Sequence, residues 1–284
     1  MMRKSIAFCT IILFFSANLA FAQQDTTKKI GWFPKGIAGL NVSQIALSNW
    51  SQGGDNSLTW TLAGDFALKY MNENITFDNS LKVAYGRTKL GGQEFRTNDN
   101  DFYLVNLISK NIDAWEIKPF FSNSIRTSIS RGFDYSTTPE TEIADFFDPG
   151  YINQSVGFIY DKHKYFTTRL GLGAQEVFTN VNAKYTDDPA TQKIETFKFD
   201  LGLESVTTSE FTVAQNLLLK SNLRLFSRFK KLSVWDVRWD NSIIAKINDF
   251  MDVNLTFLFV YQEDQSKQGQ IKQTLQLGIV YTIF

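Results

Sequence analysis

The sequence predicts an all-β protein: a single antiparallel transmembrane β-barrel of about twelve strands, with short periplasmic turns and longer extracellular loops. Three observations predict it. Phe (26), Tyr (10) and Trp (6) make up 15% of the 284 residues while Pro is only 5, a composition suited to strands and their aromatic contacts. Apolar and polar residues alternate through segment after segment, the period of a strand with one apolar and one polar face. The connections between those segments alternate short and long.

The first residues read as an address. Arg3 and Lys4 precede an apolar run from Ile6 to Ala17, and Ala20-Phe21-Ala22 supplies the small residues of a signal-peptidase site. The run is too short to span about 30 Å of hydrocarbon as a helix. Residues 1–22 are therefore expected to be a cleaved signal peptide, 23–35 a periplasmic N-terminal segment, and 36–284 the barrel. Cys9 leaves with the peptide, which excludes disulfides, thiol catalysis and a lipid-bearing cysteine at the new N-terminus. Removing Arg3 and Lys4 from the balanced 29 basic and 29 acidic residues leaves 27 against 29, so no basic field exists to hold a nucleic acid.

Strands follow in order. Leu58, Trp60, Leu62, Gly64, Phe66, Leu68 and Tyr70 alternate with Thr59, Thr61, Ala63, Asp65, Ala67 and Lys69. Ile75 to Tyr85 and Trp115 to Ile129 repeat the split, as do Phe197 to Leu203, Leu217 to Leu225, Trp235 to Ile243, Val253 to Tyr261 and Leu275 to Ile283. Weaker strands fit at 36–47, 100–111, 151–161 and 164–175. Tight turns are expected at Met71–Glu73, Asn111–Asp113, Asp161–Lys164, Val206–Glu210 and Asn248–Asp249. Longer loops are expected at Ser48–Asn56, Lys89–Asp99, Arg131–Gly150, Glu176–Gln192, Phe229–Leu232 and Glu263–Gln270. An even strand number then brings both chain ends to the short-turn rim.

Period two alone does not say which face points outward, and a soluble barrel with its apolar face inside is the alternative. Against it stand strands of about eleven to fifteen residues, longer than the usual soluble strand. Trp60 and Tyr70 on one face are also separated by roughly 23 Å at the usual rise and tilt, matching two aromatic girdles around an apolar band.

Some residues carry a resemblance. Gln276, Gly278, Tyr281 and Ile283, followed by Phe284, are similar to the polar, glycine, aromatic, hydrophobic pattern by which outer-membrane barrels are recognised by the insertion machinery. Asn41-Val42-Ser43-Gln44 through Leu47, Asn49-Trp50-Ser51, Gly53-Gly54 and Ser57 form one further stretch. Phe147-Asp148-Pro149-Gly150-Tyr151, Val237-Arg238-Trp239-Asp240 and Lys246-Ile247-Asn248 are the others. Together these resemble the Bacteroidota family called domain of unknown function 3078, over nearly all of residues 36–284. The resemblance implies architecture and an outer-membrane location, and no chemistry.

Candidate chemistry is sparse. His163 is the only imidazole and sits in a short turn, on the rim opposite to that where a barrel phospholipase needs its His beside a Ser. One His and no mature cysteine leave too few ligands for zinc. Asp134, Glu140, Glu142, Asp145, Asp148, Asp187 and Asp188 offer oxygen ligands for calcium in the long loops, and solvated loop charge is the preferred reading. Asp25-Thr26-Thr27 resembles an acceptor for O-linked glycosylation. Trp50 beside Asn49, Gln52 and the glycines suggests either a sugar-stacking site or a first loop folded against the rim, the latter preferred. No cofactor, metal or catalytic residue is expected.

What remains is the interior. The residues expected to line the lumen are Asp65, Lys69, Asp78, Lys82, Arg126, Arg169, Lys198, Asp200, Glu204, Lys220, Arg224, Asp236, Arg238, Asp240 and Lys246. Opposite charges on neighbouring strands pair across a ladder, and twelve strands enclose more space than the eight that side chains alone fill. The leading expectation is a narrow channel for small polar solutes, with outer-membrane lipid and the barrel-insertion machinery as partners. A non-conducting scaffold that binds proteins through loops or the N-terminal segment is the second, and a surface lipid-modifying enzyme the third.

Overall fold

The structure is a computed structural model and describes residues 30–49, 51, 54–112, 114–188 and 190–284. The expected signal peptide, the Asp25-Thr26-Thr27 acceptor and Trp50 lie outside the described residues. Fourteen strands form: β1 (Gly31–Ile45), β2 (Ser57–Met71), β3 (Ile75–Leu90), β4 (Arg96–Lys110), β5 (Lys118–Thr127), β6 (Gly132–Asp134) and β7 (Thr141–Ala144), then β8 (Gly150–Tyr160), β9 (Phe166–Phe178), β10 (Phe197–Ala214), β11 (Leu217–Arg228), β12 (Asp236–Lys246), β13 (Met251–Tyr261) and β14 (Gln270–Thr282). Twelve of them close one antiparallel barrel in chain order, and β6 with β7 makes a separate hairpin inside the loop between β5 and β8.

Closure is made by β1 against β14, from Ile37↔Thr282 to Val42↔Leu277. The chain end prolongs this seam: Gly36 N–H donates to the Phe284 carbonyl (3.1 Å) and Ile283 N–H to the Gly36 carbonyl (2.8 Å). On β2 the pairing of β1 runs further, from Gly31↔Met71 to Ile45↔Ser57.

The barrel is inside out relative to a soluble protein. The buried hydrophobics among the described residues are Phe120, Ile159, Val177, Val206 and Phe226, outnumbered by buried polar or charged residues such as Thr61, Ser122, Ser155, Gln175, Asp200, Glu204, Asp236 and Gln276. Meanwhile Leu62, Leu170, Leu172, Leu201 and Leu275 stand at least half exposed on the outer wall. Apolar outside and polar inside is the construction of a membrane barrel. Aromatic pairs mark both rims, Trp60 with Tyr85 near the loops and Trp32 with Tyr70 near the turns.

Several expected boundaries move. The first strand begins at Gly31, so residues 31–35 of the expected periplasmic segment belong to the wall. Pro34 obscures this in the sequence and is tolerated for a specific reason. Gly36 N–H points toward β14, so the nitrogen two residues earlier points the same way, below the last residue of β14, where no ladder bond is lost. The turn expected at Val206–Glu210 lies inside β10, and the chain reverses instead at Gln215-Asn216. The β-branched Val206, Thr207 and Thr208 sit in register with Arg224, Leu223 and Asn222 of β11 and carry the strand through. The third strand continues to Leu90 and the fourth starts at Arg96, so the expected loop Lys89–Asp99 shrinks to 91–95. The strand expected over Trp115–Ile129 is confined to Lys118–Thr127, and Trp115 packs on Phe158 from the turn below (6.1 Å).

Candidate functional site: the barrel lumen

Alternation and register put the chemistry-bearing side chains on the lumen side of the wall. Asp65 stands opposite Lys82 and Lys69 opposite Asp78 on β2 and β3, the latter pair 3.8 Å apart. Lys246 stands opposite Asp252 near the turn rim, and Lys220 lies 3.9 Å from Glu210. Arg169 faces Phe120 at 5.9 Å. Along the ladder, then, some expected lumen residues pair locally, while others reach across strands.

On the wall built by β5 and β8 to β11 the lumen is packed. Glycines make this possible: Gly171, Gly173 and Gly202 alternate with outward Leu172, Leu201 and Leu203, leaving the inner face of β9 and β10 without side chains there. Over this floor lie the longer side chains of β11. A Cβ on Gly173 would come within 3.2 Å of both Glu204 and Phe226, and the Phe226 ring is 1% exposed. Arg224 Nε donates to Glu204 Oε1 (2.7 Å) and its Nη2 crosses two strands to Asn153 Oδ1 (2.9 Å). Nearer the loops, Arg228 donates to Asp200 (3.1 Å) and through both terminal nitrogens to Asp236 (2.8 and 3.1 Å). Ser122 and Ser155 complete the layer with a buried hydroxyl pair at 2.8 Å.

The opposite wall leaves space. Inward positions of β1 to β3 include the small residues Gly39, Ala63, Ala84 and Gly86. Two cavities lie in the lumen, the larger one against this wall. One of about 740 Å³ reaches the turn rim beside His163 and is lined by acids Asp99, Asp101, Glu210 and Asp240 together with Lys82 and Lys220. The other, about 340 Å³, reaches the loop rim beside Gln262 and Gln265. Arg238, Leu258 and Lys272 line both, marking the level where the two meet. Arg238 forks onto Asp240 (3.1 and 3.2 Å), and Lys272 Nζ reaches Asp99 on β4 (2.6 Å). Arg126 stacks over Tyr103 at 4.2 Å and has Asp101 3.6 Å from its Nε.

Above the smaller cavity the loop 262–269 bends inward and is held on three strands. Asp264 accepts from Lys198 (2.5 Å) and pairs with Arg228 (2.8 Å), while Gln265 donates to the Tyr151 hydroxyl (2.6 Å). Burial pushes the Asp264 carboxyl up, but Lys198 and Arg228 more than offset this and hold it below the usual carboxylate range. Glu263 adds a pair with Lys231 at 2.7 Å.

The loop carboxylates are dispersed. Asp134 accepts from Ser136, Glu140 lies 3.7 Å from Arg96, and Glu142 and Asp145 share Arg131. Asp148 instead clamps two loops together, accepting from the amides of Asn180 (2.9 Å) and Val181 (2.8 Å). Burial opposes its ionised form, yet these amides, with Asn182, leave its carboxyl below the ordinary value. His163 stacks on Phe166 (4.2 Å) and its Nδ1 accepts from the Tyr165 amide (3.3 Å). At the chain end Gln276 and Gly278 face inward, and a side chain on Gly278 would collide with Asp252 and Asn41. Tyr281, Ile283 and Phe284 are 67%, 43% and 58% exposed, offering aromatic and aliphatic surface beside the seam.

Sequence reasoning missed Arg228, Asp101, Tyr103 and Asp264. Arg228 was within reach: extending the inward set Lys220, Asn222, Arg224 by two further alternate positions, through Phe226, arrives at it. Asp264 carries no periodic signal, because a loop decides its place.

Residues 42–133 match the family described as protein of unknown function (DUF3078). That stretch runs from the upper part of β1 through β2 to β5 into the hairpin loop. No curated protein matches the sequence. Among solved structures, the chain is similar to the translocator domain of autotransporter NalP from Neisseria meningitidis, at 11% identity and a TM-score of 0.38, covering 90% of each chain. It is also similar to an outer membrane channel from Pseudomonas putida F1, at 8% identity and a TM-score of 0.39, covering 92% of this chain and 99% of that one. A third is Salmonella typhi OmpF in complex with daunomycin, at 11% identity and a TM-score of 0.28, covering 89% and 97%.

Proposed function

We propose that the protein is a narrow channel for small polar solutes in the outer membrane of a Gram-negative bacterium. One observation carries the reading: two polar-lined cavities lie end to end inside the barrel, one reaching each rim, and share Arg238, Leu258 and Lys272 where they meet. The exposed apolar exterior supports the membrane location, since such an area in water is an aggregation liability. A catalytic role is not part of this reading, because the single imidazole is spent on a turn amide and a ring stack. A non-conducting scaffold is the second reading, and the inward loop held by Asp264 and Gln265 favours it.

Conductance in planar bilayers separates the two. The channel reading expects small, discrete currents from folded, inserted protein, and larger ones when Asp264→Asn and Gln265→Ala together release the loop. Folded protein that passes no ions in either form overturns the channel and leaves the scaffold.

A further inference from the structure

We infer that the smaller, loop-side cavity is a binding site for a small oxyanion, a solute bearing a phosphate or carboxylate group, held by Arg126 and Arg238 with Lys272. The inference rests on the lumen being open to solutes, as proposed above, and names the class it takes.

Four cations line this cavity, Arg126, Arg224, Arg238 and Lys272, against one acid, Asp236. That acid is occupied by the two terminal nitrogens of Arg228. Arg224 is held by the buried Glu204, and the carboxylates beside the other three cations line the larger cavity: Asp101 beside Arg126, Asp240 under Arg238 and Asp99 at Lys272. The loop-side cavity therefore carries a local excess of cations in its lining. Fixed charges in a confined low-dielectric passage concentrate the opposite sign, so an anion entering this cavity is favoured.

Hydrogen-bonding capacity agrees with charge. Arg126 has Nε and Nη1 buried with no acceptor, and Asp101 stays 3.6 Å away, beyond hydrogen-bond range. Buried guanidinium donors without acceptors are costly, and a carboxylate or phosphate supplies the oxygen pair that a guanidinium fork fits. Tyr103 under Arg126 fixes the plane of that fork. Arg126 and Arg238 line the same small cavity, so one oxyanion between them offsets two like charges. Around them the remaining polar groups are neutral side chains, Asn153, Gln175, Gln262, Gln265 and Gln270, able to donate without competing charge. A volume of about 340 Å³ is at the small end of ligand sites, which limits the occupant to a small molecule.

The test uses the full folded chain in detergent, titrated with inorganic phosphate in one arm and succinate in the other, with glycerol and equal ionic strength of chloride as references. Heat on binding and the temperature of the heat-modifiable gel shift are read together. Saturable binding by phosphate, succinate or both is expected, and the arm that binds more tightly identifies the headgroup. Arg126→Gln should weaken it by about tenfold or more, Arg126→Lys by less, and Arg131→Gln in the outer loop not at all. If Arg126→Gln does not fold, Arg238→Gln carries the same expectation. Absence of saturable binding in both arms, or unchanged affinity in the lumen variants, overturns the site. Binding without conductance retains the site and removes the channel; conductance without binding does the reverse.

Discussion

The two walls of the lumen obey the same alternation and end differently. On β9 and β10 the inward glycines let Arg224 and Phe226 lie flat across the neighbouring strands, and a polar core forms inside the barrel. On β2 and β3 the inward Ala63 and Ala84 line space that stays open as cavity. Small residues thus produce close packing or a void depending on what the adjacent strand lays across them. Net charge does not distinguish the walls, because both carry ion pairs. Burial does: Glu204 is 6% exposed at its arginine, whereas Lys272 and Asp99 keep side-chain exposures of 42% and 20%.

That difference has measurable consequences, the largest first. Arg224→Gln strands a buried Glu204 carboxylate and should destabilise by about 3–5 kcal/mol. Lys272→Gln on the open wall should cost about 1 kcal/mol or less, as for partly exposed pairs. Unfolding in urea followed by the gel shift compares them, and equal losses would remove the distinction between the walls. Arg224, expected from the sequence only to line the lumen, is thus a folding residue as well.

The outside should show no such contrast. Leu172→Arg at mid-strand behind the packed wall and Leu62→Arg behind the open one each place a charge against lipid, costing about 2–4 kcal/mol. Similar assembly defects in vesicles would confine the asymmetry to the interior; a defect in only one would extend it to the lipid face.

A smaller effect is expected from the floor itself. Gly173→Ala adds a methyl group 3.2 Å from Glu204 and Phe226 and should cost about 1–3 kcal/mol through overpacking. Ala84→Val points into the larger cavity and should cost much less. Thermal midpoints of the two variants decide it, and a costlier Ala84→Val would mean that the cavity is not free space.

The smallest effect concerns the loops above the packed wall. Asp148 is held ionised by the amides of 180–182, so its folded value lies below its unfolded one. Its contribution is present above the unfolded value, about pH 4, and is lost as pH falls through the folded value. Protease cleavage within 128–149 and 179–196 should rise on acidification below that range. Asp148→Asn should be cleaved more readily at neutral pH and lose the acid dependence; an unchanged acid profile in the variant would assign it to another group.

Much of this fold was legible as period and parity. Leu58 to Tyr70 and Leu217 to Leu225 carry their faces in the residue order, and the lumen set from Asp65 to Lys246 follows from the same two-residue repeat. Failures occurred where composition and period disagree. A turn is expected at Val206–Glu210, although the strand continues through it. Pro34 hid the start of β1 because the bond it lacks falls outside the neighbouring strand.

The sequence by itself determined the class of wall, its apolar exterior, its charged interior and the end of the barrel on which the longer loops stand. These are local properties, readable because a side chain two residues along a strand returns to the same face. Tertiary structure alone decided which charges meet. Arg224 with Asn153, Lys272 with Asp99 and Asp264 with Arg228 join strands and loops far apart in the chain, and no period encodes them. Their distances depend on the register around a closed ring and on which inward positions are glycine, so only the assembled barrel sets one wall packed and the other open.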